Sequence, residues 1–357
     1  MTLMRLSLIC PLFVVGACGG PDITLTDDID LTWDFSITPT KFGDTLHTPY
    51  VRGAPVMLSV YAKDDSQTFD GWSVESSDPS IFQITSVIAH GTTFNANGIA
   101  AGEGSAGLTV IDDHGSVIGS ADADVLQPDH IALDAHGYLI MGMDDQAPVD
   151  ELRVLDGGTA TYVVNYFKGT TELHGNKVLT IDDVPGVTAE ARESFLFENR
   201  EWLTVTANGA EGAVSMPLRA DGDVVGSMPM TIVPEIDIAT VDMLTQSESG
   251  HKDGDWLVAY AQASDASARR IFGVDYSWNV GGVDQTADGD LYRYQYNAGD
   301  SQVVTATRDS HSAQGFIHSE GGFVDSTNNI GCSAGGSTGI LGGLVVLGLV
   351  GCRRRRR

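Results

Sequence analysis

Apolar and polar residues alternate along most of this chain in short runs, and clusters of Gly, Asp, Asn and Ser separate the runs. Three segments open in the same way, with a proline, an acidic residue and then alternating apolar residues. A proline in this position is typical of a linker that leads into a first strand. The three openings are Pro21-Asp22-Ile23, Pro128-Asp129-His130-Ile131 and Pro234-Glu235-Ile236.

Each of the three units continues with the same order of patterns. Apolar runs begin at Gly53, Gly158 and Gly254 and predict a second strand, and runs from Trp72, Val178 and Tyr276 predict a third. Each unit then ends in a strand, a tight Asp/Gly turn and another strand, which is a hairpin signal. A helical pattern is found only over residues 188–196. About seven short strands in a unit of about 100 residues predict a β-sandwich.

The predicted fold class is therefore all-β, with tandem Ig-like β-sandwiches over residues 18–127, 128–233 and 234–329. The first unit contains Trp72-Ser-Val-Glu-Ser-Ser-Asp-Pro and then Asn97-Gly-Ile-Ala-Ala-Gly-Glu-Gly. In this respect residues 50–127 resemble bacterial Ig-like domains of group 2. The other two units lack the Ser-Asp-Pro motif and are divergent. The resemblance implies an adhesion, stalk or spacer role at a surface and implies no chemistry.

The N-terminal segment, residues 1–17, has one positive charge, Arg5, then a short apolar core and small residues before Cys18. This layout predicts an export signal. The small residues followed by cysteine resemble a bacterial lipoprotein signal, which implies that Cys18 becomes the acylated first residue of the mature protein. An ordinary secretory signal with an incidental cysteine is the alternative.

The C-terminal segment, residues 330–357, combines Gly331-Cys332-Ser333, a Gly-rich apolar run and five terminal arginines. Arginines after an apolar run stop transfer through a membrane, yet this run is shorter than the about 20 residues of a durable span. The tail resembles the myxobacterial C-terminal sorting tag (MYXO-CTERM), which implies cleavage near Cys332 and display at the cell surface. A plain single-pass anchor remains the alternative. The membrane-stop residues are Arg353, Arg354, Arg355, Arg356 and Arg357.

The charge and the cysteine content narrow the range of possible functions. The chain carries 48 acidic and 20 basic residues, and six of the basic residues lie in the two end segments. Such an acidic body repels nucleic acid, so nucleic-acid binding is excluded. All four cysteines, Cys10, Cys18, Cys332 and Cys352, also lie in the end segments. The body therefore has no disulfide and no zinc-thiolate site.

Candidate chemistry is sparse. Residues 18–329 contain no Gly-x-Ser-x-Gly motif of serine hydrolases; the pattern occurs only in the C-terminal segment, at residues 331–335 and 335–339. Three Asp-Gly-Asp turns each place two carboxylates on a glycine turn, a pattern that can contribute to a calcium site, although solvated turns are the ordinary explanation. The candidate calcium ligands are Asp221, Asp223, Asp253, Asp255, Asp288 and Asp290. Tyr292, Tyr294 and Tyr296 alternate on one strand face and predict core packing, with a surface recognition stripe as the alternative.

The sequence thus predicts a non-enzymatic cell-surface protein with an adhesion, structural or spacer role, located at the outer membrane of the cell envelope. A calcium-dependent or carbohydrate-binding surface module is the first alternative, and an accessory or degenerate extracellular hydrolase is the second. The expected partners are the membrane, export and sorting proteases, and a surface protein or glycan that the sequence does not identify.

Overall fold

The computed structural model describes residues 23–27, 42–62, 67–193, 201–209, 211–286 and 289–319. The predicted signal, Cys18 and the whole C-terminal segment with Cys332 and the five arginines lie outside these residues. In the part of the chain that the structure describes, no helix is long and apolar enough to cross a membrane.

The first sandwich has two sheets that enclose one apolar core. Their strand orders are β2-β1-β4-β7-β6 and β3-β9-β8-β5, and β3 runs parallel to β9. Phe69, Trp72 and Phe94 form edge-to-face aromatic contacts inside the core. The strands are β1 (Ile23–Asp27), β2 (Phe42–Thr45), β3 (Tyr50–Val51), β4 (Pro55–Ala62), β5 (Ser73–Ser76), β6 (Phe82–His90), β7 (Thr93–Ala100), β8 (Gly104–Ile111) and β9 (Val117–Leu126).

The second sandwich repeats this arrangement with the sheet orders β11-β10-β13-β17-β16 and β12-β19-β18-β15, and β12 runs parallel to β19. A short helix, α1 (His136–Ile140), and a 3-10 turn (Asp144–Gln146) follow its first strand. The strands are β10 (His130–Ala135), β11 (Pro148–Val149), β12 (Leu152–Leu155), β13 (Thr159–Lys168), β14 (Thr171–Leu173), β15 (Leu179–Ile181), β16 (Val187–Glu193), β17 (Glu201–Ala207), β18 (Gly212–Ala220) and β19 (Asp223–Val233).

The third sandwich differs in that one long strand, β25, pairs with β21 along its first part and with β23 and β26 along its second part. Trp278 lies in the core and donates its indole N–H to the carbonyl of Gly289 at 3.0 Å. The strands are β20 (Thr240–Thr245), β21 (Trp256–Ser264), β22 (Arg270–Ile271), β23 (Ser277–Val280), β24 (Val283–Asp284), β25 (Leu291–Arg308) and β26 (His311–Ser319).

The all-β Ig-like fold is confirmed, and so are the three hairpins and the third strands that follow Trp72, Val178 and Tyr276. The domain limits themselves stay a prediction. Tyr292 and Tyr294 are buried, and Tyr296 is half-buried against the same core, which confirms core packing and rules out the surface stripe.

Two local predictions are wrong. Residues 188–196 do not begin a helix, because Val187–Glu193 forms the edge strand β16. In this strand Ala189 and Ala191 face the core, and the alternate residues Thr188, Glu190 and Arg192 are exposed. A period of two outweighs the helix propensity of alanine there. The third unit does not open a strand at Pro234 either. Glu235–Asp237 forms a 3-10 turn, and the strand starts at Thr240.

Candidate functional sites at the sandwich junctions

The turns that precede β4, β13 and β21 have the same backbone geometry in the three sandwiches. We call residues 51–54, 155–158 and 252–255 the edge turns. In each, the third residue is a glycine with positive φ whose N–H donates to a strand across the sheet, a conformation that favours glycine. These glycines are Gly53 (φ +88°, to Ala100 O at 2.7 Å), Gly157 (φ +77°, to Ala207 O at 2.8 Å) and Gly254 (φ +92°, to Tyr296 O at 2.8 Å).

The sequence prediction placed Gly158 opposite Gly53 and Gly254, which is wrong by one residue. The correct partner is Gly157, because its hydrogen bond to Ala207 matches the bonds of the other two glycines. The first residue of each edge turn is therefore Val51, Leu155 or Lys252. This correspondence allows the three edges to be compared atom by atom.

The first edge turn docks onto the second sandwich through main-chain hydrogen bonds. The N–H of Val51 donates to the carbonyl of His174 at 2.8 Å, and the N–H of His174 donates to the carbonyl of Pro49 at 2.9 Å. This is a parallel β-bridge between two sandwiches. Val51 is fully buried and belongs to the core of the second sandwich.

The second edge turn docks onto the third sandwich with the same pattern. The N–H of Leu155 donates to Phe272 O at 2.9 Å, and the N–H of Phe272 donates to Arg153 O at 2.7 Å. Leu155 is 2% exposed and packs in the core of the third sandwich. The two junctions are therefore built from the same interaction.

Both receiving segments carry a glycine with positive φ directly after the bridging residue, at Gly175 and Gly273. A Cβ on Gly175 would lie 2.6 Å from the Cβ of Ala54, and a Cβ on Gly273 would lie 2.8 Å from the backbone N of Thr159. On the other side, a Cβ on Gly158 would lie 2.1 Å from the carbonyl oxygen of Gly273. The junctions close only because these positions have little or no side chain.

An arginine clamp adds to the first junction. Arg52 donates from Nε to Asp221 Oδ2 and from a terminal nitrogen to Asp223 Oδ2, each at 2.7 Å. The hydrogen bond to Asp221 is the main cause that raises the pKa of Arg52. The amide of Gln127 adds a bond to the carbonyl of Ala220 at 3.2 Å. Two acidic residues of one hairpin turn thus hold the neighbouring sandwich.

The second junction contains a buried ion pair. Arg153 donates to Asp265 Oδ2 at 2.9 Å, and the two side chains are 7% and 9% exposed. Asp265 also accepts hydrogen bonds from the backbone N–H groups of Ser267 and Arg269 and from the Arg269 side chain. Burial raises the pKa of Asp265, but the hydrogen bonds from Arg269 and Ser267 outweigh burial and leave the pKa lowered. Its carboxylate is ionised and well supported, as a buried ion pair requires.

A third contact joins α1 of the second sandwich to the third sandwich. Arg270 donates to the carbonyls of Gln146 and Pro148 and lies 4.9 Å above the ring of Tyr138. Tyr138 in turn packs edge-to-face against Tyr260 with a centroid distance of 5.3 Å. The second junction is therefore fixed by three contacts: the main-chain bridge, the buried ion pair and the Arg270 contact.

An open cleft of about 840 Å³ lies beside this contact. Its walls include Asp242, Met243, Gln262 and Gln314. Among the described lining residues Asp242 is the only carboxylate, whereas glycoside hydrolysis uses two. The face of Tyr138 is covered by Arg270, which leaves it unavailable for stacking on a sugar ring. The cleft offers neither a catalytic pair nor a stacking platform.

Four of the six carboxylates predicted to bind calcium lie in two separate turns and have other partners. Asp221 and Asp223 are bound to Arg52. Asp253 accepts the N–H of Ala298 at 2.9 Å, and Asp255 accepts the N–H of Lys252 at 2.8 Å.

Asp290, the partner of Asp288 in the third Asp-Gly-Asp turn, is a half-buried residue of the third sandwich whose Oδ1 is buried, and burial raises its pKa to about 7. Asp288 lies outside the described residues. Calcium binding at these six residues stays a prediction.

One group that could hold a cation was not predicted. Asp112, Asp113 and His114 form the tip of the β8–β9 hairpin, and one ligand atom from each lies within 4.8 Å of the others. The N–H groups of His114 and Ser116 already donate to Asp112 Oδ1. Among the described residues this is the only such group, and its geometry is that of an ordinary hydrogen-bonded turn.

No family model and no curated protein matches the chain. Among solved structures, a fragment of the surface layer protein SbsC (domains 4–9) is 16% identical with a TM-score of 0.34, over 73% of this chain and 42% of that one. FdeC, an Escherichia coli adhesin, is 13% identical with a TM-score of 0.26, over 87% and 100%. The Yersinia pseudotuberculosis adhesin InvE is 15% identical with a TM-score of 0.22, over 75% of each. At these values no functional conclusion is drawn from the similarity.

Proposed function

We propose that the chain is a non-enzymatic cell-surface protein in which three Ig-like sandwiches form a stiff spacer with an adhesion or structural role. The observation that carries this proposal is the repeated junction. Tandem domains usually move relative to one another unless their interface is extensive, and here main-chain bonds, apolar residues and ion pairs are all shared between neighbours. A spacer needs such continuity, whereas an enzyme needs a catalytic constellation.

The display route in this proposal comes from the two end segments. Cys18 is acylated, or the tail is processed near Cys332, or both occur, and the acidic body is held at the outer membrane. An exported body without cysteine has no thiol to oxidise, which suits an oxidising exterior.

Labelling of intact cells with a membrane-impermeant amine reagent tests the surface location, and the intact mass of the recovered chain tests the processing. We expect labelling of the body without lysis and a mass that lacks residues 1–17. Cys18→Ser and Cys332→Ser variants separate the two routes, because each releases the chain only if its own cysteine anchors it. Labelling that requires lysis would overturn the proposal.

A further inference from the structure

The edge turn of the third sandwich has the backbone geometry of the two docked edges but different side chains. Its first residue, Lys252, is exposed, whereas Val51 and Leu155 at the same position are buried. Its last residue is Asp255, whereas the docked edges have Ala54 and Gly158 there. The three last residues are equivalent because each donates its N–H to the first residue of its own turn at 2.8–3.1 Å.

Asp255 occupies the place that a following sandwich takes at the docked edges. At the first two junctions the next sandwich brings Gly175 or Gly273 against this position, at separations that leave no room for a larger side chain. A carboxylate at the same position fills that space. It also places a charge where the docked edges have the uncharged residues Ala54 and Gly158.

The carboxylate of Asp255 also accepts the backbone N–H that, at the docked edges, donates to the next sandwich. The N–H of Val51 donates to His174 and the N–H of Leu155 donates to Phe272, both in the next sandwich. The corresponding N–H of Lys252 donates instead to Asp255 Oδ2 at 2.8 Å. This hydrogen bond is the main cause that lowers the pKa of Asp255, and His251 at 3.4 Å acts in the same direction.

We infer that Asp255 closes the docking edge of the third sandwich, so that neither a second copy of this chain nor another sandwich can add to it as the second adds to the first and the third to the second. An interface that joins one face of a unit to a different face of the next grows without limit unless an end is blocked. The inference does not depend on where the protein is displayed.

Amide hydrogen exchange of the whole chain tests whether the carboxylate of Asp255 holds the N–H of Lys252. In the native chain the Lys252 amide should be protected, and Asp255→Ala should accelerate its exchange about tenfold or more while the amides of β21 stay protected. Asp255→Asn keeps an acceptor oxygen and should retain part of the protection. A Lys252 amide that exchanges equally fast in native chain and Asp255→Ala would overturn the inference.

An aspartate placed at the corresponding position of the first junction tests whether such a carboxylate blocks docking. Ala54→Asp should undock the first two sandwiches, seen as loss of protection at His174, while Val51 stays protected by the new carboxylate. Ala54→Val, which fills the space without an acceptor, should expose both amides. Retained protection of His174 in Ala54→Asp would show that a carboxylate at this position does not block docking, and the inference would fail.

Discussion

Glu201 shows how a single buried acid can organise a loop. Its side chain accepts hydrogen bonds from the Tyr166 hydroxyl at 2.5 Å and from the N–H of Leu179 at 3.2 Å, and the residue is 3% exposed. Burial raises the pKa of Glu201, and the bond from Tyr166 only partly offsets this. We expect Glu201→Ala to destabilise the second sandwich by about 3 kcal/mol, because it leaves buried donors without acceptors.

Urea unfolding measures this loss, and Tyr166→Phe is the control. Since this control variant removes one hydroxyl and leaves the carboxylate bonded to the backbone, its cost should be about 1 kcal/mol. Equal costs for the two variants would mean that Glu201 does not hold the segment before β15.

We expect Asp290 to make the stability of the folded chain depend on pH. Burial raises its pKa to about 7 in the folded chain, with a further contribution from the charge of Asp275. Burial and, after it, the charge of Asp290 raise the pKa of Tyr276. A pKa above the unfolded value means that the folded state favours the neutral acid. The stability from this group is therefore fully present below about pH 4 and is lost as the pH rises through 7.

Asp290→Asn mimics the neutral acid and should be more stable than the native chain at pH 8, by up to about 4 kcal/mol. The difference should shrink towards zero near pH 4. Paired urea titrations at several pH values measure it, and the subtraction removes the contributions of all other carboxylates. A difference that does not change with pH would contradict the prediction.

At the scale of elements, the junctions depend on glycines. Gly273 and Gly157 have nearly the same positive φ, +73° and +77°, but only Gly273 lies against a neighbouring sandwich. Alanine is strained to a similar extent at both positions, so the difference between the two variants isolates the collision with the backbone of Thr159. We expect Gly273→Ala to cost about 2 kcal/mol more than Gly157→Ala. Equal losses of stability for the two variants in thermal unfolding would mean that the junction accommodates the added methyl group with little loss of free energy.

Strands and hairpins could be predicted from the sequence because their signals are local. The runs after Gly53, Trp72 and Tyr276 alternate with period two, and Asp and Gly mark the turns. The edge strand β16 could not be predicted, since its alanines carry no strong β signal. The helix α1 is too short for a detectable helical period.

Local sequence patterns do not identify the residues that form the junctions. Arg52 and its partner Asp221 are 169 positions apart, and nothing near either residue indicates the other. The sequence identified Asp221 and Asp223 as carboxylates that share a turn, and the structure supplies the guanidinium they face. His174-Gly175 and Phe272-Gly273, both ring-glycine pairs before a third strand, were the one available signal for the docking sites.

At the scale of the whole molecule, two different causes could keep the first and third sandwiches apart. The chain has a net charge of −28, and self-repulsion alone would separate the sandwiches at low salt. Repulsion is screened within about 3 Å at 1 M salt, whereas buried bridges and apolar contacts are not. The first sandwich is bonded to the second and the second to the third, so the separation of the first and third sandwiches reports on both junctions together.

Single-pair energy transfer between dyes at the exposed positions Val117 and Val283 distinguishes these causes. We expect one narrow distance distribution that is unchanged between about 0.1 and 1 M salt, because the junctions set the distance. The double variant Gly175→Val/Gly273→Val should broaden it, whereas Gly157→Val/Gly169→Val, with open space at both positions, should not. A native distribution as broad as that of the junction variant would show that the sandwiches move independently, and a spacer role would then require another source of stiffness.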